Sequence, residues 1–64
     1  MISRLSIFNA YDYYHVTAAQ RDLSSTETRF YRFCMEHHES ICCEDTFNND
    51  PIIVEASKLF ENIS

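Results

Sequence analysis

The chain has no glycine among its 64 residues. At the usual share of roughly 7%, about four would be present. The lack removes Gly-rich phosphate loops and dinucleotide fingerprints, whose backbones must approach a ligand closely. It also moves any tight turn that needs positive φ onto asparagine. Asn48-Asn49 is the obvious place for such a turn.

The length allows a single domain, residues 1–64. A domain this short buries only about 60% of its unfolded-chain surface, so its stability is marginal. It has little room for a large substrate pocket, and small scaffolds usually lean on a metal, disulfides or a partner subunit. Dimerisation or docking on a larger protein is therefore expected before any motif is read. Apolar residues at 45% and aromatics at 14% are enough for a core and argue against a disordered peptide. No apolar run approaches the roughly 20 residues of a membrane span. Met1-Ile2-Ser3-Arg4-Leu5 lacks the basic region and apolar stretch of a secretory signal. Cys34, Cys42 and Cys43 cannot all pair within one chain, and a bridge between adjacent cysteines is strained. Reduced thiols follow, and the chain reads as cytoplasmic.

Charge divides the chain. Residues 1–32 hold four bases (Arg4, Arg21, Arg29, Arg32) and three acids (Asp12, Asp22, Glu27). Residues 33–64 hold one base, Lys58, and seven acids: Glu36, Glu39, Glu44, Asp45, Asp50, Glu55 and Glu61. Such a surface repels free nucleic acid and attracts basic proteins, and it also serves as a solvated face that keeps the chain soluble.

Two helices are well signalled. Asp50 then Pro51 is an N-cap followed by a first-turn proline. Ile52, Ile53, Ala56, Leu59, Phe60 and Ile63 then recur at helical spacing, which predicts an amphipathic helix over 51–62. Ser24-Ser25-Thr26-Glu27 fits a capping box and predicts a helix over 25–39. Its inner stripe is Phe30, Phe33, Cys34, His37 and Ile41, with Arg29, Arg32, Glu36 and Glu39 toward solvent. Arg32–Glu36 and Arg29–Glu36 lie at spacings where charges meet on a helix. Residues 2–8 read as a short extended segment, with Asn9 capping a first helix that carries Ala10, Tyr11, Tyr14 and Ala18. Thr17 with Gln20 is a second cap, which predicts a break near His15. Residues 41–49 read as a turn with one short helical turn at 44–47. The fold class is all-α: a small three-helix domain with an N-terminal extended segment and helix-turn-helix as a variant arrangement. The core is expected at Phe30, Phe33, Leu59 and Phe60, with Tyr13 and Tyr31 nearer the surface.

Five of the six Cys and His residues fall in 34–43, Cys-Met-Glu-His-His-Glu-Ser-Ile-Cys-Cys. Cys34 and His38, four apart, share a helix face. With Cys42 or Cys43, and His15 or a carboxylate as a fourth ligand, they form a candidate zinc site. The spacing matches no finger, ribbon or knuckle, and cysteine also packs as a small apolar side chain. The reading taken is therefore buried thiols with no metal and no cofactor. Cys34 with His37 or His38 offers a thiol and a base, but neighbours on one helix seldom reach attack geometry, and nothing supplies an oxyanion hole. No catalytic residue is assigned. Tyr11, Tyr13, Tyr14, Phe30 and Tyr31 are candidates for an aromatic interface patch or for the core.

Leu23-Ser24-Ser25-Thr26-Glu27-Thr28-Arg29-Phe30, then His38, then Ile41-Cys42-Cys43-Glu44-Asp45-Thr46-Phe47 resembles the opening of helix-turn-helix and winged-helix domains. That resemblance implies a capped helix, a turn and a second helix. The last helix departs from it, since Glu55, Lys58 and Glu61 are not the Arg, Lys, Asn and Gln that read phosphates and bases. At class level, ten acids against five bases without glycine resembles the small acidic inhibitors encoded by phages, the anti-CRISPR proteins and DNA mimics. That likeness implies carboxylates placed where phosphates would sit in a basic groove.

The sequence thus points to a non-enzymatic protein-binding module, an inhibitor or regulator of a larger basic protein. Its contact residues would be Glu36, Glu39, Glu44, Asp45, Asp50, Glu55 and Glu61, with Tyr13 and Tyr31 as anchors. Direct binding to nucleic acid or membrane is not expected, and a homodimer is compatible. A dimeric helix-turn-helix-like regulator and a zinc-stabilised module are the alternatives.

Overall fold

The computed structural model describes residues 2–63. They form four helices: α1 (Arg4–Thr17), α2 (Ser25–Glu36), α3 (His38–Cys42) and α4 (Pro51–Glu61). No strand occurs among the described residues, so the protein is all-α as expected, with three helices of substantial length and one short one.

The N-terminal segment is helical where the sequence suggested an extended one. Ser3 caps α1, its hydroxyl accepting from the Ser6 N–H at 3.2 Å. Tertiary contacts hold this end in place. The Arg4 N–H donates to Asn48 Oδ1 at 2.8 Å, which satisfies one of the free donors of a first helical turn. The Arg4 guanidinium donates to the Ile41 carbonyl at 2.6 Å. The Ile2 N–H donates to the hydroxyl of Ser57, buried on α4, at 3.0 Å. Ile7 and Tyr14, two turns apart, then both face the core. Local β preference gives way to this packing.

Asn9 therefore lies inside α1 rather than capping it, and no break occurs at His15. The suggested start at Thr17 is instead the end of the helix. The Gln20 and Arg21 N–H groups fold back onto the Thr17 carbonyl at 2.9 and 3.0 Å.

The Ser24 capping box is present on both sides. The Glu27 N–H donates to Ser24 Oγ at 3.2 Å, and the Ser24 N–H donates to Glu27 Oε1 at 2.8 Å. The predicted helix over 25–39 is divided, because His37 leaves helical geometry at φ −115, ψ 29. The kink sets α3 against α1 and α4 and brings Ile41 fully into the core.

After α3 the chain turns without a helix at 44–47. The Thr46 N–H donates to the Cys43 carbonyl and the Asp50 N–H to the Phe47 carbonyl. No described residue has positive φ, Asn48 and Asn49 included. Turns with negative φ at both central positions suit most residue types, so the glycine-free chain needs no left-handed residue here. Asp50 and Pro51 start α4 as expected, with the Ile52 N–H bonded to Asp50 Oδ1 at 2.9 Å.

Ile7, Tyr14, Phe30, Cys34, Ile41, Ile53 and Ala56 make the core. Of the four core residues expected, only Phe30 is wholly buried; Phe33, Leu59 and Phe60 pack around its margin. Tyr14 meets Phe30 edge-on at 6.0 Å, and Phe60 meets it at 5.2 Å. Ile7, in the segment expected to be extended, is instead a fully buried core residue of α1.

Candidate functional site

The Cys/His segment does not assemble. Cys34 ends inside the core, while Cys42 and Cys43 are exposed, and all three thiols are free. The kink at His37 separates Cys34 on α2 from His38 at the start of α3. His38 Nδ1 bonds instead to the Met35 carbonyl at 3.2 Å. The His37 ring lies 4.5 Å from Phe33, and His15 Nδ1 shares a hydrogen bond with the Tyr31 hydroxyl at 2.8 Å. Among the described residues, no three His, Cys, Asp or Glu side chains stand together to hold a metal ion. Burial, helped by the nearby Cys42, pushes the Cys34 thiol up to about 12. A thiol held protonated in this way is a poor nucleophile.

The aromatics serve two purposes. Tyr14 is core. Tyr31 is half-buried and engaged, its ring tilted against Tyr11 at 5.5 Å and its hydroxyl bonded to His15. Burial, with the nearby Tyr31, raises the pKa of Tyr11 above the ordinary phenol value. Tyr13 is 59% exposed, its ring edge-on to Tyr14. Of the two anchors expected, Tyr13 is the accessible one.

One acid is structural. Glu27 is buried and accepts both guanidinium N–H groups of Arg21, at 3.1 and 3.0 Å, besides its capping bond. Those bonds hold its carboxyl well below the usual range, at about 2, with Arg21 the largest cause and the Ser24 N–H next. This is the ion pair among the described residues. Arg32–Glu36 and Arg29–Glu36, expected from spacing, do not close.

The acids proposed for contact are differently placed. Glu36, Glu39, Glu44, Asp45, Glu55 and Glu61 are exposed, and Asp50 is half-buried and engaged as the α4 cap. Glu39, Glu44 and Asp45 belong to α3 and the turn after it. Glu55 and Glu61, six apart on one helix, leave α4 about 120° from each other, so α4 does not present them as one face. Glu36 lies beside Arg29 and Arg32 on a groove wall. The negative surface is therefore concentrated on the 39–45 segment rather than spread over the whole C-terminal half.

Phe47 sits two residues beyond that acid pair and is 78% exposed. The sequence pattern assigns it no role; its one signal there is an aromatic in a polar loop with no place in either helical stripe. A second overlooked feature is a groove of about 510 Å³ between α2 and α4, floored by Leu23, Phe33 and Leu59 and walled by Arg29 and Arg32. A smaller groove of about 470 Å³ runs between Tyr13 and Phe60.

Within residues 23–47, α2 and α3 are joined through the single residue His37, and α3 has only five residues. A helix of that length offers little more than one turn of surface. No described helix is long and apolar enough to cross a membrane. The chain matches no protein-family model, no curated protein and no solved structure.

Proposed function

We propose that this chain is a non-enzymatic protein-binding module, an inhibitor or regulator that docks an acidic lobe on a larger basic protein. The lobe is Glu39, Glu44 and Asp45 with Phe47 as its anchor; Tyr13 is a secondary anchor, and Glu36, Asp50, Glu55 and Glu61 contribute longer-range field. The observation that carries the reading is Phe47, 78% exposed beside two exposed carboxylates. A large ring left in water beside unpaired charges gains by moving into an apolar pocket with a basic rim. The acids steer the encounter and the ring sets its lifetime. The partner class is a larger basic protein, and it includes proteins whose basic groove binds nucleic acid, the kind met by the phage-type inhibitors this chain resembles in composition.

Affinity capture from the native host with mass spectrometry identifies the partner, and binding kinetics across a salt range then test the mechanism. E39K/E44K/D45K is expected to slow association more than it speeds dissociation, and F47A to speed dissociation. Rates indifferent to salt and to both variants would sink the reading.

A further inference from the structure

Phe47 and the α2–α4 groove are complementary patches that one chain does not bring together. The groove is lined by the apolar Leu23, Phe33 and Leu59 and by the charged Arg29, Arg32 and Glu36, two bases to one acid. Neither arginine is ion-paired among the described residues. Its volume, about 510 Å³, lies in the range of about 300–1,000 Å³ that ligand pockets occupy. The loop after α3 carries the opposite chemistry, two exposed carboxylates and a phenyl ring in four consecutive positions, Glu44 to Phe47.

We propose that the loop of one copy docks in the α2–α4 groove of a second copy. Phe47 lies on the Leu23–Phe33–Leu59 floor, and Glu44 and Asp45 face Arg29 and Arg32. A net charge of −5 per chain opposes association in general, so two copies meet only where local charges are opposite. This groove holds two of the five bases against one acid, Glu36, and neither base is ion-paired among the described residues. The loop–groove contact joins unlike patches. Two chains that exchange loops about a two-fold axis form that contact twice, in one isologous interface, while losing rigid-body freedom once, which favours a closed dimer over an open chain.

The proposal shares its loop with the partner-binding reading but does not rest on it. A dimer made this way covers the loop, so self-association and partner binding compete.

Sedimentation equilibrium of the full chain over a dilution series is the test, with circular dichroism to check that each variant folds. The wild-type chain is expected to be a dimer that dissociates on dilution. F47A and R29E/R32E should each weaken it at least about tenfold, as loss of an anchor does. E44R/D45R should weaken the dimer, and E44R/D45R combined with R29E/R32E in one chain should restore it. A monomer up to the solubility limit, or a dimer indifferent to F47A and R29E/R32E, overturns the proposal. R29E/R32E keeps the loop, so its binding to a captured partner is measurable whether or not self-association fails.

Discussion

Helix α2 and the segment from α3 to the start of α4 hold the same residue types in opposite uses. Phe30 is wholly buried, whereas Phe47 is 78% exposed. Glu27 is tied to Arg21 and to the Ser24 N–H, whereas Glu39, Glu44 and Asp45 face solvent with no ion pair among the described residues. Cys34 is buried, whereas Cys42 and Cys43 are exposed. Composition is thus a poor guide to role in this chain. The difference comes from position: α2 packs against both α1 and α4, while the chain from 43 to 50 is a double turn with solvent on most of its sides. The buried face of α2 holds the fold together, whereas the later segment, pinned at Ile41 and Asn48, leaves its acids and Phe47 free to meet something else.

The two phenylalanines give the widest separation. Phe30→Ala should cost about 3–5 kcal/mol, as aromatic truncation in a core does, and so unfold much of a marginal domain. Phe47→Ala should stay within about 0.5 kcal/mol of wild type. Urea unfolding of both variants measures the gap, and comparable midpoints would erase the distinction. The thiols follow. In the native protein Cys42 and Cys43 should react with a thiol reagent, while Cys34, buried and pushed up to about 12, should react only on unfolding. Mass mapping of alkylated chains with and without denaturant checks this. Rapid native labelling of Cys34 would mean that the core opens there.

Much of α2 and α4 was legible because each carries both a cap and a stripe. Ser24 with Glu27 and Asp50 with Pro51 are local signals, and the residues that follow repeat at helical spacing. The first helix was not legible at its start. Its cap is a serine in a run of β-favouring residues, and its anchors are Ile41, Asn48 and Ser57, 37 to 55 positions away. The kink at His37 likewise has no local marker such as glycine or proline. Of the proposed contact residues, the acids of 39–45 could be read from charge, but not which acids were already engaged. Phe47 and the Arg29–Arg32 groove depend on what the fold leaves uncovered, which a sequence pattern does not report.

The acids give a pH test of the same contrast. The folded-state pKa of Glu27 is depressed from 4.5 to about 2. Its contribution to stability is therefore complete above the ordinary carboxylate value and is lost as pH falls from there through about 2. Thermal midpoints should drop across that acid window. Glu27→Gln should lower the midpoint at neutral pH and flatten the drop. An unchanged acid slope in Glu27→Gln would mean that other carboxylates carry the dependence.

The smallest expected change belongs to the acids of the exposed segment. Glu39→Lys, Glu44→Lys and Asp45→Lys together reverse three charges at positions where no side-chain bond holds the fold among the described residues. Substitutions at such surface positions usually move stability by no more than about 0.5 kcal/mol each. The three changes add six charges, so the net charge would move from −5 to about +1, which relieves self-repulsion and offsets part of any local loss. The Asp50 cap and the Arg4–Asn48 and Arg4–Ile41 bonds that pin the ends of the segment are untouched. The unfolding midpoint should therefore stay near that of wild type while partner association slows. A large loss of stability in this triple variant would place the segment with α2 as part of the framework, and the division between a holding region and a meeting region would fail.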